Sequence, residues 1–375
     1  MSLDIYFKYK YEKYKNKYIE LKQIGGNKIN NNNNDYYMTS MTSLIFNSSP
    51  ELSPHYLTQN IYSYWINSSH NTFLPKDQIF GPASLCYYKL QGFLFLSGCM
   101  ELDLYGITDD GEDIKINHLP TNIRGIKLSM VLEVIVQILE HLNTHSYIYR
   151  GPIILSIDNK NLNKRKHSDL LWKIINKYIP KYLLEIKTDY DLAKIKLSDL
   201  NGKILIRAGQ NKTCNVSPET KIGKDLCPPT DMEYLKNAKK DNNGNPLSWF
   251  HLTKSKINLN EKVILNNNNS VSISAPFIDS YLPINLNSVI NTQRNLGRIY
   301  PHMTNVMSSN YKNISYFKNG FQLVAINLQD RAEAFYINNA VFLPPQGSPC
   351  SPRKVINNTE CSYGWNDKYE QLACV

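Results

Sequence analysis

The chain has no C-x-x-C pair, and its seven cysteines, Cys86, Cys99, Cys214, Cys227, Cys350, Cys361 and Cys374, are scattered and odd in number. This spacing argues against a zinc-thiolate centre and against a disulfide framework, and it favours a reducing compartment. Long apolar runs are also missing. Val131 to Leu139 is short and interrupted by Glu133, so no transmembrane helix is expected, and no secretory leader opens the chain. RNA-recognition, zinc-finger and helix-turn-helix signatures are absent, and the lysines are diffuse apart from the first 30 residues. A nucleic-acid partner is therefore not expected.

What is present is enough apolar residue for a large core. With 375 residues, 42% of them apolar, the chain can bury either one barrel-sized domain or two ordinary ones. The balance of 42 Lys and Arg against 32 Asp and Glu leaves a net charge of +10. Such an excess favours a phosphate-bearing partner, and charge alone does not choose between nucleic acid and an anionic membrane surface.

Residues 1–24 space Phe7, Tyr11, Tyr14, Tyr18 and Leu21 by alternating fours and threes. Lys8, Lys10, Lys13, Lys15, Lys17 and Lys22 lie mostly off that stripe. The pattern predicts a basic amphipathic helix suited to a membrane surface or a partner. A glycine- and asparagine-rich linker follows, completing an arm over residues 1–35. From Tyr62 onward, short apolar segments alternate with helical ones. "SYWINSS", "CMELDLYG", "EDIKINH", "PIILSIDN" and "GKILIRAG" read as buried strands, and Leu128 to Leu142 and His167 to Tyr178 as helices. Strand and helix alternating at this spacing predict an α/β fold with a parallel sheet, open or closed. Residues 210–269 lose the periodicity and read as an irregular surface insert. Strand-like order resumes from 270 to 345, and residues 346–375 form a tail without an assigned role.

The polar residues of the first half collect at the carboxyl ends of these strands: His70 and Asn71, Glu101 and Asp103, His118, then Asp158. In a parallel α/β barrel such ends converge on one face, where substrate and metal bind. Carboxylates two apart on a strand point the same way, and with Asn71 and Asp158 they make an oxygen donor set suited to Ca²⁺ rather than Zn²⁺. Both histidines are then left for proton transfer. A lone Glu-x-Asp in a strand is ordinarily a solvated face, and a lone His at a strand end ordinarily a surface residue. It is the six together, on successive strand ends, that resist the ordinary explanation.

"SSHNTFL", "GPAS", "GCMELDLYG", an isolated His118 and "PIILSIDN" together resemble the X half of the eukaryotic-type phosphoinositide-specific phospholipase C family. "GRIYPHMTNVMSSNY" and "GFQLVAINLQ" resemble its Y half. The resemblance implies a single (β/α)8 TIM-type barrel built from residues 36–209 and 270–345, interrupted by the insert. It further implies a Ca²⁺-dependent enzyme that cleaves membrane phosphoinositides to diacylglycerol and an inositol phosphate, by attack of the inositol 2-hydroxyl. His70 would contact the phosphoryl oxygens, Glu101, or as an alternative Asp158, would take the hydroxyl proton and His118 would protonate the leaving oxygen. Asn71, Glu101, Asp103 and Asp158 would hold Ca²⁺, with Arg207, Ser272, Arg298 and Tyr300 binding the headgroup. Two departures stand out. Asp158 replaces a glutamate, which implies weaker metal binding, and Gly209 replaces a lysine that recognises the 5-phosphate, which implies a relaxed preference for that phosphate. The flanks are too short for the family's accessory membrane-targeting domains, so the expectation is a stripped catalytic core. It would be a cytoplasmic monomer, peripheral at membrane surfaces and bound to anionic phosphoinositides. The competing expectation is a catalytically inactive relative that binds inositol phosphates or lipid as a scaffold.

Overall fold

A computed structural model describes residues 59–74, 83–85, 88, 98–118, 125–144, 152–187, 190–210, 217, 219, 221, 223–228, 237, 250–255, 269–275, 295–302, 308–318, 321–330 and 332–342. The basic arm over residues 1–35 and the tail over 346–375 lie outside these. In chain order the elements are β1 (Ser68–Ser69), β2 (Cys99–Ile107), β3 (Ile114–Ile116), β4 (Ile126–Lys127), α1 (Leu128–Thr144), β5 (Ile153–Asn159), α2 (Arg165–Tyr178) and β6 (Ile204–Ala208). They continue with β7 (Leu252–Ser255), β8 (Asn269–Ser274), β9 (Leu296–Tyr300), α3 (Ile314–Lys318), β10 (Leu323–Ile326) and α4 (Glu333–Phe342).

Eight strands pair in parallel in the cyclic order β1, β2, β5, β6, β7, β8, β9, β10, and the ring closes where β1 pairs with both β10 and β2. This is the expected closed α/β barrel. Closure leaves no unpaired parallel edge. Alternation along each strand then divides the side chains into two sets. Cys99, Ile154, Leu205, Leu252, Leu296 and Leu323 pack in one cluster with Tyr62, Tyr64 and Ile66, and plug the barrel interior. Met100, Leu102, Leu155, Ile157, Ile204 and Ile206 point outward against Val131, Leu132 and Ile135 of α1 and Leu171, Trp172 and Ile175 of α2. Each such side chain contributes about 1.5–3 kcal/mol on burial.

Three expectations need correction. The aromatic run "SYWINSS" is mostly not strand. Ile61–Ser63 is a 3₁₀ turn, Tyr64 to Ile66 run on extended and buried, and only Ser68–Ser69 is β1. "EDIKINH" is not a barrel strand, because β3 runs antiparallel on the outer half of β2 and pairs in turn with β4. The stretch 210–269 is not wholly a surface insert, since β7 pairs with β6 and β8 and supplies one barrel stave. Its four residues, Leu-Thr-Lys-Ser, are too few and too polar for periodicity to reveal. One cysteine of the scattered seven, Cys227, is disulfide-bonded.

Candidate active site and metal centre

The inward-facing set changes character two residues beyond the apolar plug. Cys99 is followed by Glu101 and Asp103, Ile154 by Ser156 and Asp158, Leu205 by Arg207, Leu252 by Lys254 and Leu296 by Arg298. Every second residue of a strand faces the same side, so the plug is overlaid by a charged floor at the carboxyl end of the barrel. β2 and β5 pair with Glu101 opposite Ser156 and Asp103 opposite Asp158.

Asn71, the neighbour of His70, adopts the left-handed region with φ 45°. An asparagine tolerates this where a β-branched residue would not. The Asn71 backbone N–H donates to Glu101 Oε2 at 2.8 Å. The segment is braced from below by Ser69 and Thr72, whose hydroxyls lie 2.7 Å apart, while Thr72 Oγ1 accepts from the Glu101 N–H at 2.8 Å. His70 Nδ1 lies 2.9 Å from Asn327 Oδ1 at the end of β10. The Asn327 amide nitrogen donates to Ser309 O, which leaves Oδ1 as the acceptor and assigns the proton to Nδ1. His70 Nε2 therefore faces the site, 3.8 Å from Glu101 Oε2, with the ring stacked on Tyr300 at 6.2 Å. Burial lowers the His70 pKa, with the Glu101 carboxylate opposing.

Glu101 is buried and meets Arg298 Nη2 at 3.1 Å. Burial pushes its carboxyl up, but Arg298, followed by His70, outweighs burial and brings the pKa down to about 2. Asp103 shows the opposite outcome. Burial, joined by the charges of Glu101 and Asp158, holds its carboxyl well above the ordinary range against the pull of Lys160. Both Asp103 oxygens are buried without a hydrogen-bond partner. Asp158, 40% exposed, is gripped by Lys160 Nζ at 2.6 Å and Lys254 Nζ at 3.1 Å. Burial acts against its charge, yet Lys254 and Lys160 prevail and lower its pKa. One carboxylate oxygen from each of Glu101, Asp103 and Asp158 lies within 4.8 Å of the others. Three convergent carboxylates, two orphaned acceptor oxygens and an adjacent amide fit a hard, oxygen-seeking cation such as Ca²⁺.

The backbone leading to His118 passes this face. β2 projects past the rim and β3 returns antiparallel to it, so the Asn117 N–H donates to Asp103 O at 3.2 Å and His118 follows at the level of the carboxylates. On the far side, Arg207 is fully buried and donates to the hydroxyls of Ser156, Ser270 and Ser272. Ser272 is the register partner of Arg298, so these three headgroup candidates form one connected group. Arg298 spans the two groups: Nη2 meets Glu101, the guanidinium lies 5.4 Å from the Tyr300 ring, and Nε is buried without a partner. Gly209 follows β6, and a Cβ there would collide with the Asp225 carboxylate. Gly209 is thus faced by an acid.

Three site residues escape the sequence reading. Asn327 closes β10 and could have been found by the same strand-end rule that selects His70. Lys160 follows Asp158 by two residues but looks like an ordinary surface lysine. Lys254 lies inside the stretch read as insert.

Comparison with known proteins agrees with this fold. The X-domain model of phosphatidylinositol-specific phospholipase C matches residues 57–210 and the Y-domain model residues 250–349. The chain belongs to the phosphatidylinositol-specific phospholipase C family. The Y-domain match begins at Phe250, so it takes in β7 as the structure does. Among its relatives, the 1-phosphatidylinositol 4,5-bisphosphate phosphodiesterase delta-3-A of Danio rerio is 26% identical over 82% of this chain and 40% of its own length. The human zeta-1 phosphodiesterase is 24% identical over 83% of this chain and 52% of its own length. The human "inactive phospholipase C-like protein 2" is 24% identical over 78% of this chain. The crystal structure of L. pealei PLC21 superposes with a TM-score of 0.53 at 22% identity, covering 76% of this chain and 37% of that one. The chain thus spans about half, or less, of the length of these relatives. No helix among the described residues is long and apolar enough to cross a membrane.

Proposed function

We propose that this barrel is a Ca²⁺-dependent phospholipase C acting on membrane phosphoinositides. The observation that carries the reading is a complementary pair of unmet groups in one mouth. Asp103 presents two buried acceptor oxygens without a hydrogen bond, the nearer cation being Lys160 Nζ at 3.6 Å from Oδ1, and Arg298 presents a buried donor, Nε, without one. Buried polar groups are almost always satisfied, so the mouth calls for a cation and an anion together, as a metal with a phosphodiester provides.

In this reading Asn71, Glu101, Asp103 and Asp158 hold Ca²⁺, which when bound supplies Lewis acidity toward the 2-hydroxyl and the phosphoryl group. Glu101, kept ionised by Arg298, is the base that accepts the 2-hydroxyl proton. His70 has committed Nδ1–H to Asn327. An arriving phosphoryl anion, together with Glu101 nearby, favours a proton on Nε2, which then donates to a phosphoryl oxygen as negative charge builds. His118 donates its proton to the departing diacylglycerol oxygen. Arg298, Ser272 and Arg207 neutralise the 4-phosphate and Tyr300 stacks on the inositol ring, with Arg207 contributing from beneath Ser272. Gly209, backed by Asp225, offers the 5-phosphate no cation, so phosphatidylinositol and its 4-phosphate are turned over at rates comparable to the 4,5-bisphosphate. The net charge of +10 assists peripheral docking on an anionic leaflet.

The test is release of water-soluble inositol phosphate from the three radiolabelled lipids in mixed micelles, with free Ca²⁺ titrated from chelated to millimolar. Calcium-dependent release that drops on the order of 10²-fold or more in His118→Ala is expected. Failure to cleave any lipid by a chain that still unfolds cooperatively would replace the enzyme with the binding scaffold. A strong preference for the bisphosphate would overturn the reading of Gly209.

A further inference from the structure

Resting on the reading that Glu101, Asp103 and Asp158 hold a divalent cation, we infer that Lys160 is the site's internal competitor for it, a tethered ammonium that must leave Asp158 before the metal engages it. Nothing in the sequence pattern marks this lysine out. The inference comes from where its Nζ lies: 2.6 Å from Asp158 Oδ2 and 3.6 Å from Asp103 Oδ1. It therefore sits against two of the three carboxylates of the cluster.

The two lysines on Asp158 differ in freedom. Lys254 projects from β7 and its side chain is 19% exposed, so it is fixed by the barrel and grips Oδ1. Lys160 stands just past the end of β5, and its side chain is 35% exposed. Its flexible four-carbon stem can carry the ammonium out to water without moving the backbone. Lys254 thus sets the orientation of Asp158, and Lys160 is the group that can yield. Asp103 is held more loosely, since Lys160 Nζ stands 3.6 Å from its Oδ1 without a hydrogen bond, and the same departure of the ammonium frees it.

Two consequences follow from charge. A monovalent cation gains no advantage over an ammonium already in place, whereas a divalent one outweighs it, so Lys160 filters against monovalent ions. The same competition raises the concentration of divalent cation needed to fill the site. The shorter Asp158 carboxylate then is not the sole origin of weak binding, because the lysine beside it contributes as well.

The experiment is calorimetric titration of the full chain with Ca²⁺, paralleled by Tb³⁺ luminescence, for the parent, Lys160→Met and Lys160→Arg. Thermal unfolding is recorded in chelator and in millimolar Ca²⁺. Lys160→Met should bind Ca²⁺ on the order of tenfold more tightly than the parent, and Lys160→Arg, which retains the charge, should not. In chelator, Lys160→Met should melt below the parent, because the clustered carboxylates lose a counter-charge, and Ca²⁺ should restore more of its stability than it adds to the parent. Equal affinities in parent and Lys160→Met would reduce Lys160 to a surface ion pair and overturn the inference while leaving the metal site intact. Weaker binding in Lys160→Met would overturn it too, by making the lysine a support of the site. Absence of binding in all three chains would overturn the metal reading itself and this inference with it.

Discussion

At the scale of single residues the site is governed by which carboxylate has a buried partner. Glu101 and Asp103 are two apart on one strand and equally enclosed, yet one is held ionised and the other is pushed toward its neutral form. The difference is Arg298, which reaches Glu101 and makes no hydrogen bond to Asp103. This pair makes a pH prediction. The folded-state pKa of Glu101, about 2, lies below its ordinary value of 4.5. Its contribution is therefore complete above pH 4.5 and is lost as pH falls through about 2. A shift of this size corresponds to about 3 kcal/mol. Replacing Arg298 by Met leaves a buried carboxylate unpaired and should cost about 3–5 kcal/mol at neutral pH. Urea midpoints recorded from pH 2 to 7 should fall steeply with acid in the parent over this window and less steeply in Arg298→Met. Parallel curves would show that the pair is not the source of the acid sensitivity.

The sequence disclosed these residues unevenly. Histidine and carboxylates at strand ends are visible because alternation and strand termination are local properties. Which carboxylate is neutral is not, since Arg298 approaches Glu101 from 197 residues away in the chain. Asn71 is an intermediate case: its identity is apparent, but its positive φ and its backbone contact to Glu101 are not.

At the scale of elements, the least expected part is the β2–β3 hairpin, which takes the place of a barrel stave in the stretch that ends at His118. Its strand character was legible from Ile114 and Ile116, but its direction was not, because the same alternation suits either orientation. The hairpin is secured to α1 by Asp113, which is buried and accepts from the Ile114 N–H at 2.7 Å, the Ser129 N–H at 3.3 Å and the Ser129 hydroxyl. Asp113→Ala leaves those donors without their acceptor and should cost about 1–3 kcal/mol. Hydrogen exchange should quicken at the β3 amides while the amides of β5 and β6 keep their protection. Uniform acceleration across all strands would mean that Asp113 supports the barrel as a whole and does not tie down the hairpin in particular.

At the scale of the whole molecule, the question is where the barrel ends and the connecting segment begins. Sequence periodicity places the break at 210–269, and low strand propensity in Leu-Thr-Lys-Ser conceals the stave within it. Topology requires that stave. Without β7, β6 and β8 have no partner on their facing edges and the ring cannot close. Leu252 is also fully buried and completes the apolar plug with Leu205 and Leu296. A carboxylate in that plug would be desolvated, and its register partner Arg207 is already committed to three serine hydroxyls, so the substitution belongs to the small class whose cost exceeds about 4 kcal/mol. Leu252→Asp should therefore abolish cooperative unfolding by circular dichroism and calorimetry. Lys224→Ala, at an exposed position in the same stretch, should change stability by no more than about 0.5 kcal/mol. If both variants unfolded like the parent, residues 252–255 would be dispensable trim and the barrel would have to close through another pairing. If only Leu252→Asp collapses, the insert is shorter than its composition suggests. Lys254 then owes its place beside Asp158 to the same strand that closes the barrel.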